Sequence, residues 1–553
     1  MNDDLIFKAE KRRHGKLSET VNPMLNEALS HYQNKDFEAA ENACRLALIE
    51  NQNDAQAHQL MGVLWSQKGD YEAATEHLEK AVALDSNLTE ALFNLGKVHR
   101  DMGRYAKAIT SFESVASTWP TNPDAWMELG VALTKSGRML DSITAYEHAI
   151  EYGKSGYQVW YMLGTAYIEH GRYDHANAAL RHALELDRSY APTWVNLAIT
   201  LENQGQLDEA IKLYRFLLNS EPNYHDALYR YALALLTTEN LAAGWAAFAP
   251  RQSWPQTLTS HGQSDAPYWS GEDISNGSLL IWTEQGPGDE ILMGSMVPDV
   301  LALNTKVTLA CSDRIAPLFT RSFPNCRVVI RSKTELPADE IGTVSAQASL
   351  TELGASLRST SESFSKSKAY LAIEHERCEA LRLKYASTNG RRPLIGISWR
   401  SESETATQQK STALKDWAEI LKSTDADFVC LQYGDTEQER SCFQPQVGRE
   451  LIWDPDIDPL KDMDGFAHQV GAMDLVISTS NTTVHVAGAL GRDVWTLVPE
   501  GTGRPWYWFL DRTDCVWYPS MRLYRQPKAG DWATPLSAVH HDLSQWMLHW
   551  SAR

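Results

Sequence analysis

Four short stretches of the chain hold residue types able to do chemistry. Glu284-Gln285-Gly286-Pro287-Gly288-Asp289 lies between an apolar run, SLLIW, and a helical one, DEILMG. Glycines there let backbone approach a ligand closely, and the unpaired N–H groups of the first helical turn attract anions. Asp289 at that start also has the residue type of a helix cap. Trp399-Arg400-Ser401 follows the apolar LIGIS, with Lys410 and Trp417 beyond it. Ser478-Thr479-Ser480-Asn481-Thr482-Thr483-Val484-His485 runs from a buried strand into a helix, and hydroxyls beside free N–H groups form a cradle for an anion such as a diphosphate. Asp456-Ile457-Asp458 has the spacing of a metal-binding carboxylate pair, and equally that of a capping or solvated loop before a helix.

These stretches need strands and helices to hold them. From about residue 278 short β-branched runs alternate with helical ones: SLLIWTEQGPGDEILMGSMVPDV, KVTLACS and CRVVI, then RRPLIGISWRS, DWAEILKS, DFVCLQYGD, GFAHQVGAMD, LVISTS, TTVHVAGALG and DVWTLVP. That is the grammar of parallel α/β units. Two such series predict two Rossmann-like lobes, 278–385 and 386–553 with closing helices, facing across a cleft at their carboxyl strand ends. The helical AYLAIEHERCEALRLKYA is expected to lead from one lobe to the next. GRPWYWFLDRTDCVWYPSMRLYRQ is dense in aromatics, and Trp506, Trp508, Trp517 and Tyr518 read as core.

Ahead of the lobes stands a 34-residue repeat. Trp126, Trp160 and Trp194 are 34 apart, and repeats begin near 21, 55, 89, 123, 157 and 191, with a partial one from 225. The eighth position is small throughout (Ala28, Gly62, Gly96, Gly130, Gly164, Ala198, Ala232), so paired helices can approach closely. Phe112, Tyr146 and Tyr214 at position twenty-four fill the space left open. Gly69, Gly103, Gly137, Gly171 and Gly205 recur where the turn between helices needs left-handed torsions. Gly244, Trp245 and Phe248 read as a capping helix. A polar stretch rich in Pro, Gly, Ser and Asp, 251–277, reads as a linker, and 1–20 as an N-terminal extension.

With 71 acidic against 51 basic residues, the net charge of −20 disfavours nucleic acid and anionic membrane as partners. Seven scattered cysteines without CxxC spacing point away from a zinc site or a disulfide framework and toward a reducing cytoplasm. The start, MNDDLIFKAEKRRHGK, lacks the apolar segment of a signal peptide, and no apolar run is long enough to span a bilayer.

Residues 21–250 resemble the tetratricopeptide repeat family, an α-solenoid whose concave face binds peptides or partner helices. EQGPGDEIL, GISWRS with QKSTALKDW, and DLVISTSNTTVHVAGALGRDVWTLVP together resemble the GT-B glycosyltransferases of the heptosyltransferase group (glycosyltransferase family 9-like), in the variety carrying N-terminal repeats. The domain order is similar to that of O-linked N-acetylglucosamine transferases. The resemblance implies transfer of a sugar from a nucleotide-sugar to an acceptor hydroxyl, with no metal and no cofactor beyond that co-substrate. It implies a protein acceptor on the repeats, such as flagellin or another surface protein. Asp289 then matches the general base, with Glu284 in reserve, and capping remains its other reading. Lys410 and Arg400 would meet the donor diphosphate, or else be solvated surface charges. Gly286, Gly288, Ser480, Asn481, Thr482 and Thr483 complete the donor site, and Gln432 reaches toward its base or ribose. His485 would donate to leaving-group charge or be a buried structural histidine. Ser480 stands where the group commonly has Asp. In the repeats, Asn94, Glu128 and Asn196 face the expected groove, but the asparagine ladder of the O-linked enzymes matches at only Asn26, Asn94 and Asn196. Two rival readings stay open: a repeat scaffold whose second half has lost catalysis, and an enzyme acting on a free or lipid-linked glycan.

Overall fold

The computed structural model describes residues 22–254, 264–275, 277–303, 305–332, 341–365, 367–386, 392–401 and 407–551. The expected N-terminal extension lies outside them. The chain divides into two compact units, 1–200 and 201–553.

Helices from Pro23–Gln33 and Phe37–Glu50 to His225–Thr237 and Leu241–Phe248 follow one another in pairs, the helical solenoid that the 34-residue period predicts. Asn22, Asp54 and Asn122 cap helices by accepting from the first turn. The turn glycines take left-handed torsions, from φ +72° at Gly103 to +82° at Gly137. Small and large positions meet as the columns require. A Cβ added to Gly96 would lie 2.7 Å from the Phe112 ring, and one on Gly130 2.5 Å from Tyr146.

The second unit holds two wholly parallel sheets. The first runs β3-β2-β1-β4, from β1 (Ser278–Trp282), β2 (Lys306–Cys311), β3 (Arg327–Ile330) and β4 (Ala346–Ser349). The second runs β10-β9-β8-β5-β6-β7, from β5 (Leu394–Ser398), β6 (Asp427–Cys430), β7 (Leu451–Ile452), β8 (Leu475–Thr479), β9 (Val494–Val498) and β10 (Met521–Arg525). Numbered within itself, the second sheet has the order 3-2-1-4-5-6 and the first 3-2-1-4. Strand order therefore reverses between β1 and β4 and between β5 and β8, the points where such sheets open a crevice at their carboxyl ends. β5, β8 and β9 are buried along their whole length, so they read as unbroken apolar runs.

The last helix pair joins this α/β body. One apolar core takes in Leu236, Trp245 and Phe248 together with Leu279 and Ile281 of β1, and Val476 and Val484 from around β8. Trp245 fills the space left by Gly354 and donates its indole N–H to the Arg358 carbonyl (3.0 Å). The expected linker is not a free connector where it is described. Arg251 is buried against Glu284, and Trp269 N–H pairs with the Gln347 carbonyl beside β4. Polar composition hid this, because one buried arginine and one buried tryptophan anchor the segment. The helix His375–Tyr385, assigned by sequence to the first lobe, is bonded to the second: Arg382 to Asp474 (2.8 Å) and Tyr385 to Asp454. Among the described residues no helix is long and apolar enough to cross a membrane.

Candidate active site

Two eight-residue helices begin where the two crevices open. The helix Pro287–Gly294 follows β1 through Gln285, at φ +65°, and Gly286, whose carbonyl accepts from the Asp289 and Glu290 N–H groups. The helix Thr482–Ala489 follows β8 and is capped by Asn481, whose side chain accepts from Thr483 N (3.0 Å). Their starts touch: a Cβ on Gly288 would meet His485 Cδ2 at 3.1 Å and Thr482 Oγ1 at 3.5 Å. Glycine is needed at 288 because that backbone must lie against the second helix.

Asp289 stands in the first turn of its helix, where Gly286 is the cap residue. Burial pushes its carboxyl up to about 6, while the backbone at Gly286 and at Asp289 itself holds it down. The Lys410 ammonium pulls it back down and Glu284 pushes it up. Burial in turn lowers the Lys410 pKa, against the pull of Asp289. A carboxyl and an amine thus lie within reach of each other's charge, both partly exposed, as is Thr482.

Other expected site residues are spent on structure. Arg400 is bonded to Glu439 (3.2 Å) and to the Asp435 carbonyl (2.7 Å). Gln432, 3% exposed, accepts from Ser398 Oγ, Trp399 N and Arg400 N, which ties β6 to the end of β5. Asn481 holds the same junction by donating to Ser398 Oγ (2.8 Å) and the Arg400 carbonyl (3.1 Å). Ser480 accepts from the Trp508 indole (2.7 Å), and Thr483 is wholly buried with no partner for its hydroxyl among the described residues. The reserve base, Glu284, is 2% exposed, with both oxygens 2.6 Å from Arg251 Nη2.

His485 is enclosed. Its ring stacks on Trp508 (5.3 Å between centroids, 9° between planes), with Nδ1 3.3 Å from the Tyr518 hydroxyl and Nε2 3.3 Å from that of Tyr507. Burial, aided by the Lys410 charge, pushes it down to about 3, so the imidazole is neutral. Tyr507 is not singled out by the sequence, which marks only Trp506, Trp508, Trp517 and Tyr518 as core. It is partly exposed and near enough to Asp289 to feel its charge. Arg251 was missed because it lies in the expected linker.

Asp456 pairs with Lys384 (2.8 Å), and Asp458 with Lys461 (3.2 Å) and the Leu460 N–H, the capping-loop arrangement. In the first unit Glu128 is ion-paired with Arg100, Asn196 donates to Thr165 (2.9 Å) and Asn94 is buried. Two of the three expected groove residues therefore bridge neighbouring repeats.

Three tetratricopeptide repeat families match, over residues 93–158 and 135–191, 167–236, and 66–102. Residues 66–236 carry tetratricopeptide repeats. Protein FlbA of Caulobacter vibrioides is 32% identical over 333 residues, 57% of this chain and 54% of that protein. The chain thus spans about half the length of the curated relative it matches. Among solved structures, YrrB, described as a TPR protein with an unusual peptide-binding site, is 23% identical over 34% of this chain and 97% of its own, with a TM-score of 0.32. PilF of Pseudomonas aeruginosa is 17% identical over 37% and 93%, with a TM-score of 0.33.

Proposed function

We propose that the α/β body is a GT-B glycosyltransferase that moves a sugar from a nucleotide-sugar to an acceptor hydroxyl, and that the repeats hold a protein carrying that hydroxyl. The observation that carries this reading is the meeting of the two helix starts, each at a strand-order reversal, with Asp289 there in reach of the Lys410 charge. Asp289 takes the proton of the acceptor hydroxyl as its oxygen bonds to the anomeric carbon. The bond from that carbon to the diphosphate oxygen breaks. Lys410, the Thr482 hydroxyl and the N–H groups of its helix start meet the charge left on the diphosphate. Arg400 and Gln432 act at a remove, by shaping the β5 and β6 ends, and His485 is no charge donor in this scheme. Support for a protein partner comes from the repeats, whose solenoids present a binding surface.

The test is transfer to candidate acceptor proteins from a panel of nucleotide-sugars, read by mass shift. Wild type transfers at least one sugar, and Asp289→Asn loses it by about 10²- to 10⁴-fold. Consumption of no donor by wild type sinks the enzyme reading. One observation favours the alternative of a scaffold with a silent transferase half: Arg400 is already neutralised by Glu439. Calorimetry with nucleoside diphosphates separates the two. Binding that Lys410→Ala weakens supports the site, and no binding supports the scaffold.

A further inference from the structure

Arg251 joins the end of the repeats to the loop that carries Asp289. It follows the helix Leu241–Phe248 by three residues, and its guanidinium lies 4.7 Å from the centre of the Phe248 ring. Phe248 is buried in the core shared with β1, so the arginine starts from a fixed footing. Its Nη2 reaches both oxygens of Glu284, at 2.6 Å each, while Nε is buried with no partner among the described residues. A single nitrogen makes the grip.

Glu284 lies in the loop between β1 and the helix Pro287–Gly294. The sheet holds the chain as far as Thr283, whose N–H donates to the Ala310 carbonyl (2.9 Å). Directly after Glu284, Gln285 stands at φ +65°, a left-handed torsion that few residues other than glycine adopt. Such a turn persists where the residues on both sides of it are held. On its far side the Gly286 carbonyl accepts from the Asp289 and Glu290 N–H groups (3.0 Å each), and a Cβ on Gly286 would lie 3.9 Å from Asp289 Oδ2. The Asp289 carboxylate thus lies back over a residue only two positions from Glu284, and its direction follows from how that loop is held.

We propose that Arg251 is a positioning residue for Asp289: by gripping Glu284 it fixes the turn at Gln285, and with it the direction in which the carboxylate faces the acceptor hydroxyl. The part played in transfer rests on the glycosyltransferase reading; the hold on the loop does not. The last helix of the repeats thereby sets the geometry of the base. The diphosphate is left to Lys410 and Thr482, which the grip does not touch.

Two measurements on the full chain test this. Arg251→Met with Glu284→Gln removes the grip without leaving a buried charge unpaired. In this double variant, hydrogen exchange at the Asp289 and Glu290 amides should speed up about 10- to 150-fold, the worth of one charged hydrogen bond, with the β8 amides unmoved. Unchanged exchange at those two amides overturns the proposal whether or not any donor is consumed. In transfer assays the double variant should lose about 10- to 100-fold in kcat, the cost of a misplaced catalytic group, with the KM of the nucleotide-sugar little changed. Arg251→Lys should keep most of the wild-type kcat and exchange rates, since one ammonium can replace one nitrogen where it could not replace a two-nitrogen fork. A purely structural arginine predicts a lower urea midpoint with kcat unchanged in the folded double variant. That outcome refutes the positioning role and leaves the glycosyltransferase reading standing. A wild type inactive on every donor removes that reading and Arg251's part in transfer together, while the exchange rates still decide the hold on the loop.

Discussion

In the repeats of the first unit the partner of a residue is near in sequence; in the α/β body it is far away. Gly62 packs on Leu78, Gly96 on Phe112, Gly130 on Tyr146 and Gly164 on Leu180, each sixteen residues on and each in the neighbouring helix. Asp289 instead answers to Lys410, and Glu284 to Arg251 on its other side. Local pairing lets a solenoid absorb damage repeat by repeat, whereas the body concentrates its risk in a few long-range contacts. The contrast can be broken by experiment.

The largest effect is expected where a buried charge loses its mate. Arg251→Ala takes from the enclosed Glu284 the guanidinium on both its oxygens, at a cost of about 3–5 kcal/mol, read as a fall in the urea midpoint of the full chain. Arg251→Met with Glu284→Gln should lose far less. A loss under about 1 kcal/mol for the single variant would mean that the last helix pair is not braced on the body.

Next come two glycines. Gly354→Ala drives a methyl into the Trp245 ring and Gly96→Ala one into Phe112, each costing about 1–3 kcal/mol. Hydrogen exchange separates them by reach. Gly96→Ala should deprotect 89–118 and the adjoining repeats alone, whereas Gly354→Ala should loosen 225–248 together with the core around β1. Equal spread in both variants would erase the distinction between the two regions.

The same contrast explains what could be read from the residues. A 34-residue period, small and large columns and turn glycines announce the solenoid, because each packing partner recurs at a fixed offset. Alternating strands and helices announce an α/β body, since buried parallel strands are apolar end to end. The site was legible at its helix starts, where Gly286, Gly288 and Asp289 have local reasons to be there. It was illegible where a side chain's task is set by a distant one. Nothing near Arg400 says that Glu439, in the helix Glu437–Val447 after β6, claims its guanidinium. Nothing in an aromatic-rich run separates Tyr507, partly exposed beside Asp289, from Trp508, buried over His485. The 251–277 stretch looked like a linker because composition averages out one decisive arginine.

A third effect is one of pH. With the Asp289 carboxyl at about 6, the base form fills as pH rises through that value, so kcat/KM should climb with an apparent pKa near 6. Lys410 holds the carboxyl down, so Lys410→Met should move that limb to higher pH as well as lower the rate. The sign for stability is opposite to that of an ion-paired carboxylate. A pKa raised by folding means ionised Asp289 opposes the fold, a cost absent below about pH 4 and complete above about pH 6. Asp289→Asn should therefore gain stability relative to wild type at pH 7 and lose that advantage at pH 4. A limb that stays at the same pH in Lys410→Met would show that the two groups do not share one site.

The smallest effect uses the same chemistry as the largest. Arg104 and Glu72 join adjacent repeats at 2.7 Å, nearly the distance between Arg251 and Glu284. Their side chains are 40% and 72% exposed, against 11% and 1% for the buried pair. Water already solvates each exposed charge alone, so Glu72→Gln should cost at most about 1 kcal/mol, and less still as salt is added. Enclosure rather than proximity then decides what an arginine and a glutamate are worth to this chain. A Glu72→Gln loss as large as that of Arg251→Ala would place a repeat contact on the same footing as the contacts that hold the body together.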